Sequence, residues 1–317
     1  MLDLLNQIVS RCDRGEPLAI CALVRTRGST PQKAGAMMVV LTDGKTLGTI
    51  GGGCVEAEVR TQALRLIFAP TDRLLSFKLD HDYGWDDGLV CGGSMEVAVQ
   101  VIATPDQAMN LRKVRDQLAE GISAQLPIAV RDEQNQLIHF SFAMQPAPTL
   151  VIAGAGHVGT ALAAVASQMD FRVIVIDDRP DFASPTRFPN ATIRIGSAET
   201  ELEKLSLNEQ SYVVIVTRGH RRDALALAAV VRSRAGYIGL IGSKRKIIKI
   251  FSDLREQGVS SEQLNRVHAP IGLNLGAVTP AEIAVSIAAE IIAVRRGSLD
   301  QKTVAPMRLT QSQIELT

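Results

Sequence analysis

The spacing of apolar residues predicts a helix over residues 2–14, followed by a mixture of strands and helices. Cys12 falls on the apolar face of that helix and Cys21 lies within the next apolar run, so both are predicted to be core residues. Further apolar runs predict strands at 18–25, 37–41, 46–50 and 95–102 and a hairpin at 127–142, and helical spacing predicts helices from about 55 to 67 and over 105–120. The first part of the chain is therefore predicted to be an α+β domain.

After residue 149 the pattern changes to short buried strands that alternate with helical segments. Strands are predicted at 150–153, 173–176, 191–195, 211–217 and 237–241, and helices over 223–234 and 280–295. This alternation is typical of a doubly wound parallel sheet with a Rossmann-like order. The stiff stretch 145–148 predicts a linker between a domain at 1–144 and a domain at 149–296, and 297–317 is predicted to be a loosely held tail.

The first of these later strands runs into glycines in GxGxxG spacing. Gly154 permits the tight turn, Gly156 lets the backbone approach a phosphate, and Gly159 allows the helix to pack close to the strand. Asp177 ends the second strand, 18 residues after Gly159, at the position where an acid bonds a ribose hydroxyl. A nucleotide pyrophosphate is therefore predicted to bind at the helix N-terminus.

Cationic and capping residues follow the later strands. Arg218, Arg221 and Arg222 come after the strand at 211–217. Ser243 is predicted to cap the next helix, whose start carries the cations Lys244–Lys246 against the preference of the helix dipole. This conflict indicates an anion nearby, although a solvated helix face explains it equally well. No convincing catalytic dyad is found; His220 with Asp223, three residues apart on one turn, is the best available.

Two cysteines are flanked by glycines. Gly51–Gly53 lead into Cys54 at a predicted helix start, where the dipole and free N–H groups favour a thiolate, and Cys91 precedes Gly92–Gly93. If the two thiols meet, they could form a redox pair or hold a thiol-seeking ligand. A tight turn with an incidental cysteine is the alternative, and Glu56 is most simply a helix N-terminal acid.

Composition excludes several classes. A net charge of +1 and 4% aromatic residues argue against general attraction to nucleic acids or membrane surfaces. The N-terminus lacks the features of a signal peptide, so a cytoplasmic protein with reduced thiols is predicted. Asp82, Asp86 and Asp87 match no calcium loop and are interpreted as a solvated loop.

The chain resembles the XdhC/CoxI family, the maturation factors of molybdenum hydroxylases such as xanthine dehydrogenase. The matching segments are GSTPQKAGA (28–36), GGGCVEAEV (51–59), CGG (91–93), VIAGAGHVGTALA (151–163), TRGHRRDA (217–224), YIGLIGSKRK (237–246) and APIGLNLGAVTPAEIAVSIAAEI (269–291). They run through nearly the whole chain in order. The resemblance implies an N-terminal cysteine-containing domain followed by a Rossmann-like domain.

That resemblance also implies a role. Family members are thought to bind molybdenum cofactor, protect it while a cysteine desulfurase installs its sulfido ligand, and pass it to an apo molybdenum hydroxylase. The implied contacts, to a molybdopterin or its cytosine dinucleotide form and to a nucleotide, are Gly52, Gly53, Cys54, Cys91, Gly92, Gly154, Gly156, His157, Gly159, Asp177, His220, Ser243 and Lys244. Cys54 and Cys91 are the implied molybdenum ligands. A homodimer and a molybdopterin cytidylyltransferase partner rest on the resemblance alone.

Three hypotheses remain open at this point. The first is a cofactor chaperone, which binds and transfers its cargo and is not a catalyst. The second is an NAD(P)-dependent oxidoreductase, which the GxGxxG pattern with Asp177 favours when taken alone. The third keeps cofactor binding in the cysteine domain and treats the Rossmann domain as a scaffold or nucleotide sensor. His268 is interpreted as a structural histidine and His139 as a surface residue.

Overall fold

The computed structural model describes residues 1–79 and 92–298, and the chain divides into two compact units, Met1–Ala147 and Pro148–Thr317. The described residues of the first unit form α1 (Leu2–Asp13), β1 (Leu18–Arg27), β2 (Met37–Leu41), β3 (Thr46–Thr49), α2 (Gly53–Phe68), β4 (Arg73–Lys78), β5 (Ser94–Ile102), a 3₁₀ turn (Pro105–Ala108), α3 (Met109–Ala119), β6 (Ala124–Arg131) and β7 (Leu137–Met144).

The strands of the first unit form one sheet in the order β3-β2-β1-β5-β4-β6-β7. All neighbours are antiparallel except β4 and β6, which are parallel and pair only at Arg73 and Arg131. Helices α1 and α3 cover one face of the sheet and α2 covers the other, so both faces are buried. Cys12 lies in the first core and Cys21 in the second, which confirms that both are core residues.

The second unit contains β8 (Thr149–Ala153), α4 (His157–Ser167), β9 (Arg172–Asp177), β10 (Ala191–Ile195), α5 (Ala198–Glu203), β11 (Ser211–Ile215), α6 (His220–Val230), β12 (Tyr237–Leu240), α7 (Lys244–Glu256), α8 (Ser261–Asn265), β13 (Val267–His268) and α9 (Pro280–Arg295). Its sheet has the order β10-β9-β8-β11-β12-β13, and every strand pair is parallel. Relabelled by position, this is the 3-2-1-4-5-6 order of the Rossmann fold. The predicted α/β class and Rossmann architecture are confirmed.

Two packed layers flank this parallel sheet. Helices α4 and α9 pack on one face, and α5 to α8 pack on the other. The strand order reverses between β8 and β11, so a crevice opens at the carboxyl ends of these two strands. No helix within the described residues combines the length and apolar character that crossing a membrane requires.

The structure differs from the predicted elements in a few places. Strand β4 was not predicted, because it buries apolar residues on both of its faces. Leu74 lies in one core and Phe77 in the other, so the sequence lacks the apolar–polar alternation of a half-buried strand. Helix α6 begins at His220 instead of residue 223, directly after Gly219, which has a φ of 88°. The glycine-rich stretch after residue 266 contains the short strand β13.

Candidate functional site

Two of the three glycines of the GxGxxG motif, Gly154 and Gly159, lie where the backbone packs too closely for a side chain. A Cβ added at Gly154 would lie 2.4 Å from the carbonyl oxygen of Val216, and one added at Gly159 would lie 2.0 Å from that of Gly154. Both positions therefore require glycine for close backbone packing. At Gly156, the N-cap of α4, an added Cβ would meet nothing within 4 Å, so space is open beside the first turn of the helix.

Hydrogen bonds hold this glycine loop in place. The N–H of Gly154 donates to the carbonyl of Ile176 at 2.8 Å, and the N–H of Ala155 donates to the Asp177 carboxylate at 2.8 Å. The Arg187 guanidinium donates to the carbonyl of Ala155 at 3.1 Å. The loop is thus preorganised, with no side chain capping the N-terminus of α4. Its first N–H groups are left for solvent or a ligand.

The carboxylate of Asp177 is fully engaged within the protein. Besides Ala155, it accepts three hydrogen bonds from Arg179: the backbone N–H at 3.1 Å, Nε at 2.8 Å and Nη2 at 3.0 Å. An ionised carboxylate offers about four lone-pair sites, and these four donors use them. The predicted contact between Asp177 and a ribose hydroxyl therefore requires that one of these donors move away.

We expect Asp177→Asn to destabilise the second unit by about 2 kcal/mol at pH 7. Asp177 is only 8% exposed, and the substitution removes its ion pair with Arg179. Burial opposes ionisation, but the bonds from Arg179 and Ala155 prevail and lower the pKa of Asp177 to about 2. A depressed folded pKa contributes stability in full above the unfolded value of about 3.9, and loses it as pH falls through the folded value.

Urea unfolding followed by circular dichroism from pH 7 to pH 3 measures this effect. The gap in unfolding free energy between wild type and Asp177→Asn should narrow once the pH falls below about 4. Asp253→Asn is the matched control, because the Asp253 carboxylate lies 4.0 Å from the Lys249 ammonium and its side chain is exposed. A gap of equal size in both variants, or one independent of pH, contradicts the assigned role of the ion pair.

A pocket of about 350 Å³ opens at the carboxyl ends of the strands, where a Rossmann sheet binds its ligands. Its polar lining residues are Asp177, Asp178, Ser197, Glu199, Thr217, Arg218, Arg221 and Arg222. Gly154 also lines it. The predicted residues Gly156, His157, Gly159, His220, Ser243 and Lys244 are not among its lining.

The three arginines of this pocket differ in whether a carboxylate pairs with them. Asp178 pairs with Arg222 at 2.7 Å and with Arg218 at 3.4 Å. Within the described residues, Arg221 has no carboxylate partner, and it is exposed. A guanidinium without a carboxylate partner in the first turn of a helix is suited to an anionic ligand group such as a phosphate.

His220 and Asp223, the best available candidates for an acid–base pair in the sequence, do not pair. Asp223 is fully buried and accepts from the backbone N–H of Thr217 at 3.1 Å, from the Thr217 hydroxyl at 2.5 Å, and from the ammonium of Lys246. His220 is the exposed first residue of α6. The sequence spacing suggested a shared turn, but the carboxylate points to the end of β11 and to α7 instead.

The other predicted residues lie at helix starts, in the core or on the surface. His157 is the exposed first residue of α4, and Ser243 caps α7 by accepting from the N–H of Lys246 at 3.4 Å. Lys244 is the exposed first residue of α7. His268 is buried, with Nδ1 3.2 Å from a carboxylate oxygen of Glu290, as its structural interpretation predicts. The prediction that His139 is a surface residue is confirmed.

In the first unit, Cys54 lies at the start of α2. It is the second residue of the helix, half-buried, and follows the N-cap Gly52, which has a φ of 75°. At Gly52 and Gly53 an added Cβ would meet nothing within 4 Å. By contrast, burial raises the pKa of the Cys12 and Cys21 thiols, which suits inert core residues. Cys54 is thus the accessible thiol among the described cysteines.

Glu56 has a structural role next to Cys54. One of its carboxylate oxygens accepts from the Thr49 hydroxyl at 2.6 Å, from the N–H of Gly52 at 3.0 Å and from the N–H of Ile50 at 3.1 Å. Burial acts against ionisation, but these hydrogen bonds prevail and lower the pKa of Glu56. Glu56 therefore fixes the turn that presents Cys54.

The segment at 28–32 brings two glycine loops together. Ser29 forms a bridge with Gly92, and a Cβ added at Gly93 would lie 2.2 Å from the carbonyl oxygen of Ser29. On the other side, a Cβ added at Gly51 would lie 2.7 Å from Cβ of Pro31. One short segment thus contacts both the loop before Cys54 and the loop after residue 91. Within the part of the chain that the structure describes, an added Cβ at Gly92 would meet nothing within 4 Å, as at Gly52 and Gly53.

Two predictions fall on residues 80–91, outside the described residues. These are the role of Cys91 and the solvated loop with Asp82, Asp86 and Asp87. In the described parts of the chain, no three His, Cys, Asp or Glu side chains are grouped so that they could hold a metal ion. Molybdenum ligation by Cys54 and Cys91 stays a prediction.

Several residues of the site were not predicted. Ser197 and Glu199 follow β10 and line the pocket. The rule that ligands bind beyond the carboxyl ends of parallel strands could have indicated them, since the strand itself was predicted. No spacing signal identifies Arg179 or Arg187, whose bonds to Asp177 and Ala155 depend on the path of the loop between them.

Comparison with protein families gives one match in each unit. Residues 12–78 match the model of the XdhC and CoxI family, and residues 150–291 match the model of the XdhC Rossmann domain. The two matches occur in the order in which the sequence resemblance places these domains.

Three curated relatives match most of this chain. YqeB of Escherichia coli is 31% identical over 284 residues; the match covers 89% of this chain but 44% of YqeB, so the chain spans less than half of that relative. A Bacillus subtilis protein, named as a probable component of xanthine dehydrogenase, is 28% identical, with 89% of this chain and 94% of that protein covered. The Escherichia coli molybdenum cofactor insertion chaperone PaoD is 25% identical, with 92% and 88% covered.

A solved structure supports the fold. A Bacillus halodurans protein described as a xanthine dehydrogenase superposes with a TM-score of 0.80 at 24% identity, covering 95% of this chain and 97% of that one. At this identity the likeness concerns the fold alone. With a family match in each unit and relatives that align along most of its length, the chain belongs to the XdhC and CoxI family.

Proposed function

We propose that this protein is a molybdenum cofactor chaperone. The first unit binds the cofactor as cargo at Cys54 and the neighbouring glycine loops, shields it during sulfuration, and releases it to an apo molybdenum hydroxylase. The name of the relative PaoD, a molybdenum cofactor insertion chaperone, supports this role. The name of the Bacillus subtilis relative supports a hydroxylase of the xanthine dehydrogenase type as recipient.

The observation that carries the proposal is the open space beside the accessible thiol. Cys54 is half-buried at a helix start, and among the described residues nothing lies within 4 Å of a Cβ added at either preceding glycine, Gly52 or Gly53. A thiolate is a soft ligand that suits molybdenum, and bare glycine backbone suits close approach of a flat pterin. The cargo would supply its own oxo-sulfido chemistry, while the protein supplies a soft contact and shelter from water.

We further propose that the second unit binds a nucleotide or pterin-dinucleotide phosphate. The unpaired N–H groups at the start of α4, the open space at Gly156 and the uncompensated Arg221 support an anionic ligand there. A plain dinucleotide oxidoreductase is supported less well, because Asp177 has no vacant acceptor site and Asp223 does not pair with His220.

Gly156→Ala is expected to weaken phosphate binding about tenfold while the fold is retained. Its φ of −73° suits alanine, and the added Cβ enters open space beside the helix start. Isothermal titration calorimetry with CTP and with NAD⁺ measures the effect. Ala164→Ser, at an exposed position of the same helix, is the matched control and should bind as wild type does. Equal affinity in Gly156→Ala and wild type would place the phosphate elsewhere.

The partners of this protein follow from the proposed role. A cysteine desulfurase would supply the sulfur while the cofactor is bound, and a molybdopterin cytidylyltransferase would precede it if the cytosine dinucleotide form is the cargo. We propose a cytoplasmic homodimer as the working form. These assignments rest on the family role and are tested by co-purification from cells that make the cofactor.

The experiment that tests the main proposal is a pterin assay. The protein is purified anaerobically from cells that make molybdenum cofactor and acid-oxidised, and the fluorescent pterin released is quantified against protein. Near-stoichiometric pterin supports the chaperone. Absence of pterin together with bound NAD(H) would instead support an oxidoreductase and overturn the proposal.

A further inference from the structure

The sheet of the first unit contains a strand edge that is only partly covered. Strand β4 pairs with β5 along its whole length, from Arg73 to Lys78, but with β6 only at Arg73 and Arg131. Strand β6 ends there and turns back into β7. Among the described residues, no other segment donates to or accepts from the backbone of residues 74–78 on this side. Among the described residues, the edge of β4 from Leu75 to Lys78 therefore has no partner strand on this side.

The pairing fixes which backbone groups face this edge. The carbonyl of Asp72 accepts from the N–H of Arg131 at 3.4 Å, so the even-numbered residues of β4 point their backbone groups away from β5. Consistently, the N–H of Leu79 donates to Gly93 on the β5 side at 2.8 Å. The N–H and carbonyl of Ser76 therefore face the open edge, ready to pair with another strand.

A groove runs beside this edge. Its volume is about 670 Å³, and α2 forms its other wall with Glu58, Gln62 and Leu66, which share one helix face. Leu75 of β4 adds apolar surface, and the β6–β7 turn adds the carboxylates of Asp132 and Glu133. A groove between a free strand edge and a helix is the setting in which proteins bind extended peptides by adding a strand.

We propose that this groove binds an extended, basic peptide segment of a partner protein as an added strand on β4. Three carboxylates line the groove, those of Glu58, Asp132 and Glu133. The one guanidinium of the lining, that of Arg73, already donates to the carbonyl of Asp132 at 3.4 Å. Lysine or arginine side chains on alternate positions of the peptide would complement these carboxylates, and an apolar side chain would contact Leu66.

The same charges argue against a second copy of this chain as the occupant. Pairing of two β4 edges would bring the acidic walls of both grooves together, and like charges across an interface are unfavourable. The inference depends on the first unit alone. It is independent of cofactor binding, so its failure leaves the pterin result unaffected.

Peptide selection on the intact protein tests this proposal. A display library of random twelve-residue peptides is selected on wild type, and fluorescence anisotropy gives the affinity of the selected peptides. Ser76→Pro removes the N–H that faces the open edge, a position where proline is compatible with a strand. We expect the selected basic peptides to bind Ser76→Pro at least about tenfold more weakly, and Ser76→Ala as wild type does.

Charge variants and hydrogen exchange complete the test. Glu133→Lys should weaken binding, while Glu120→Lys, at an exposed position at the end of α3, should not. Bound peptide should slow amide exchange at Ser76 but not at Leu75, whose N–H already pairs with β5. The proposal is overturned if no selected peptide depends on Ser76, if the selected peptides are acidic, or if Ser76→Pro alters only self-association in sedimentation velocity.

Discussion

Replacing Cys54 by alanine is expected to remove most of the pterin that co-purifies with the protein, a loss of about tenfold or more. The thiol is the accessible one among the described cysteines and lies at a helix start beside the open positions Gly52 and Gly53. Removing it deletes the soft ligand and leaves the glycine cradle intact. The acid-oxidised pterin per protein, measured after anaerobic purification, gives the result.

Matched variants separate loss of the ligand from loss of the fold. Cys12→Ala removes a thiol from the core on the opposite face of the sheet from α2, and it should lower the thermal midpoint while keeping the pterin. Cys54→Ala should show the reverse, because its side chain is only half-buried. Retention of pterin by Cys54→Ala would refute the assigned contact. The same assay on Cys91→Ala decides whether a second thiol is required.

The cysteine variants also distinguish the competing hypotheses. If the second unit is a scaffold or sensor, Cys54→Ala still removes the pterin, while Gly156→Ala leaves the pterin content unchanged. If the second unit itself binds a pterin dinucleotide, Gly156→Ala lowers the pterin content as well. In an oxidoreductase, Gly156→Ala would weaken NAD⁺ binding, whereas Cys54→Ala would leave NAD⁺ binding unchanged.

The backbone of the second unit was predictable from the sequence, whereas its side-chain contacts were not. The glycine spacing indicates positions where the backbone packs too closely for a side chain. At Gly159, for example, an added Cβ would lie 2.0 Å from the carbonyl oxygen of Gly154. The partners of Asp177 depend instead on how the chain turns after β9. Arg179 lies two residues away in sequence, yet only the folded loop lets its guanidinium take both carboxylate oxygens.

The first unit was predictable in its elements but not in its strand order. The helices α1 and α2 and the early hairpin follow from periodicity, because each buries one clear face. The placement of β4 between β5 and β6 joins segments whose pairing no local pattern specifies. The juxtaposition of Gly51 and Gly92 through residues 28–32 likewise depends on long-range contacts.

Asp223→Ala is expected to destabilise the second unit by about 3 kcal/mol, the low end of the cost of breaking a buried ion pair. Asp223 is 0% exposed, and its loss leaves the ammonium of Lys246 and both donors of Thr217 without their acceptor. The side chain of Lys246 is 24% exposed, so it can regain some hydration, which keeps the expected loss at the low end. Urea unfolding monitored by circular dichroism measures the loss.

A double-mutant cycle with Lys246→Met tests whether the charge pair is the cause. Lys246→Met alone strands a fully buried carboxylate and should destabilise strongly, whereas the double variant removes both charges and should recover about 1–3 kcal/mol relative to the sum of the single variants. Additive losses would assign the cost to the Thr217 contacts alone. Because Thr217 lines the pocket at the carboxyl ends of the strands, either result also shows how far the wall of that pocket depends on the buried charge of Asp223.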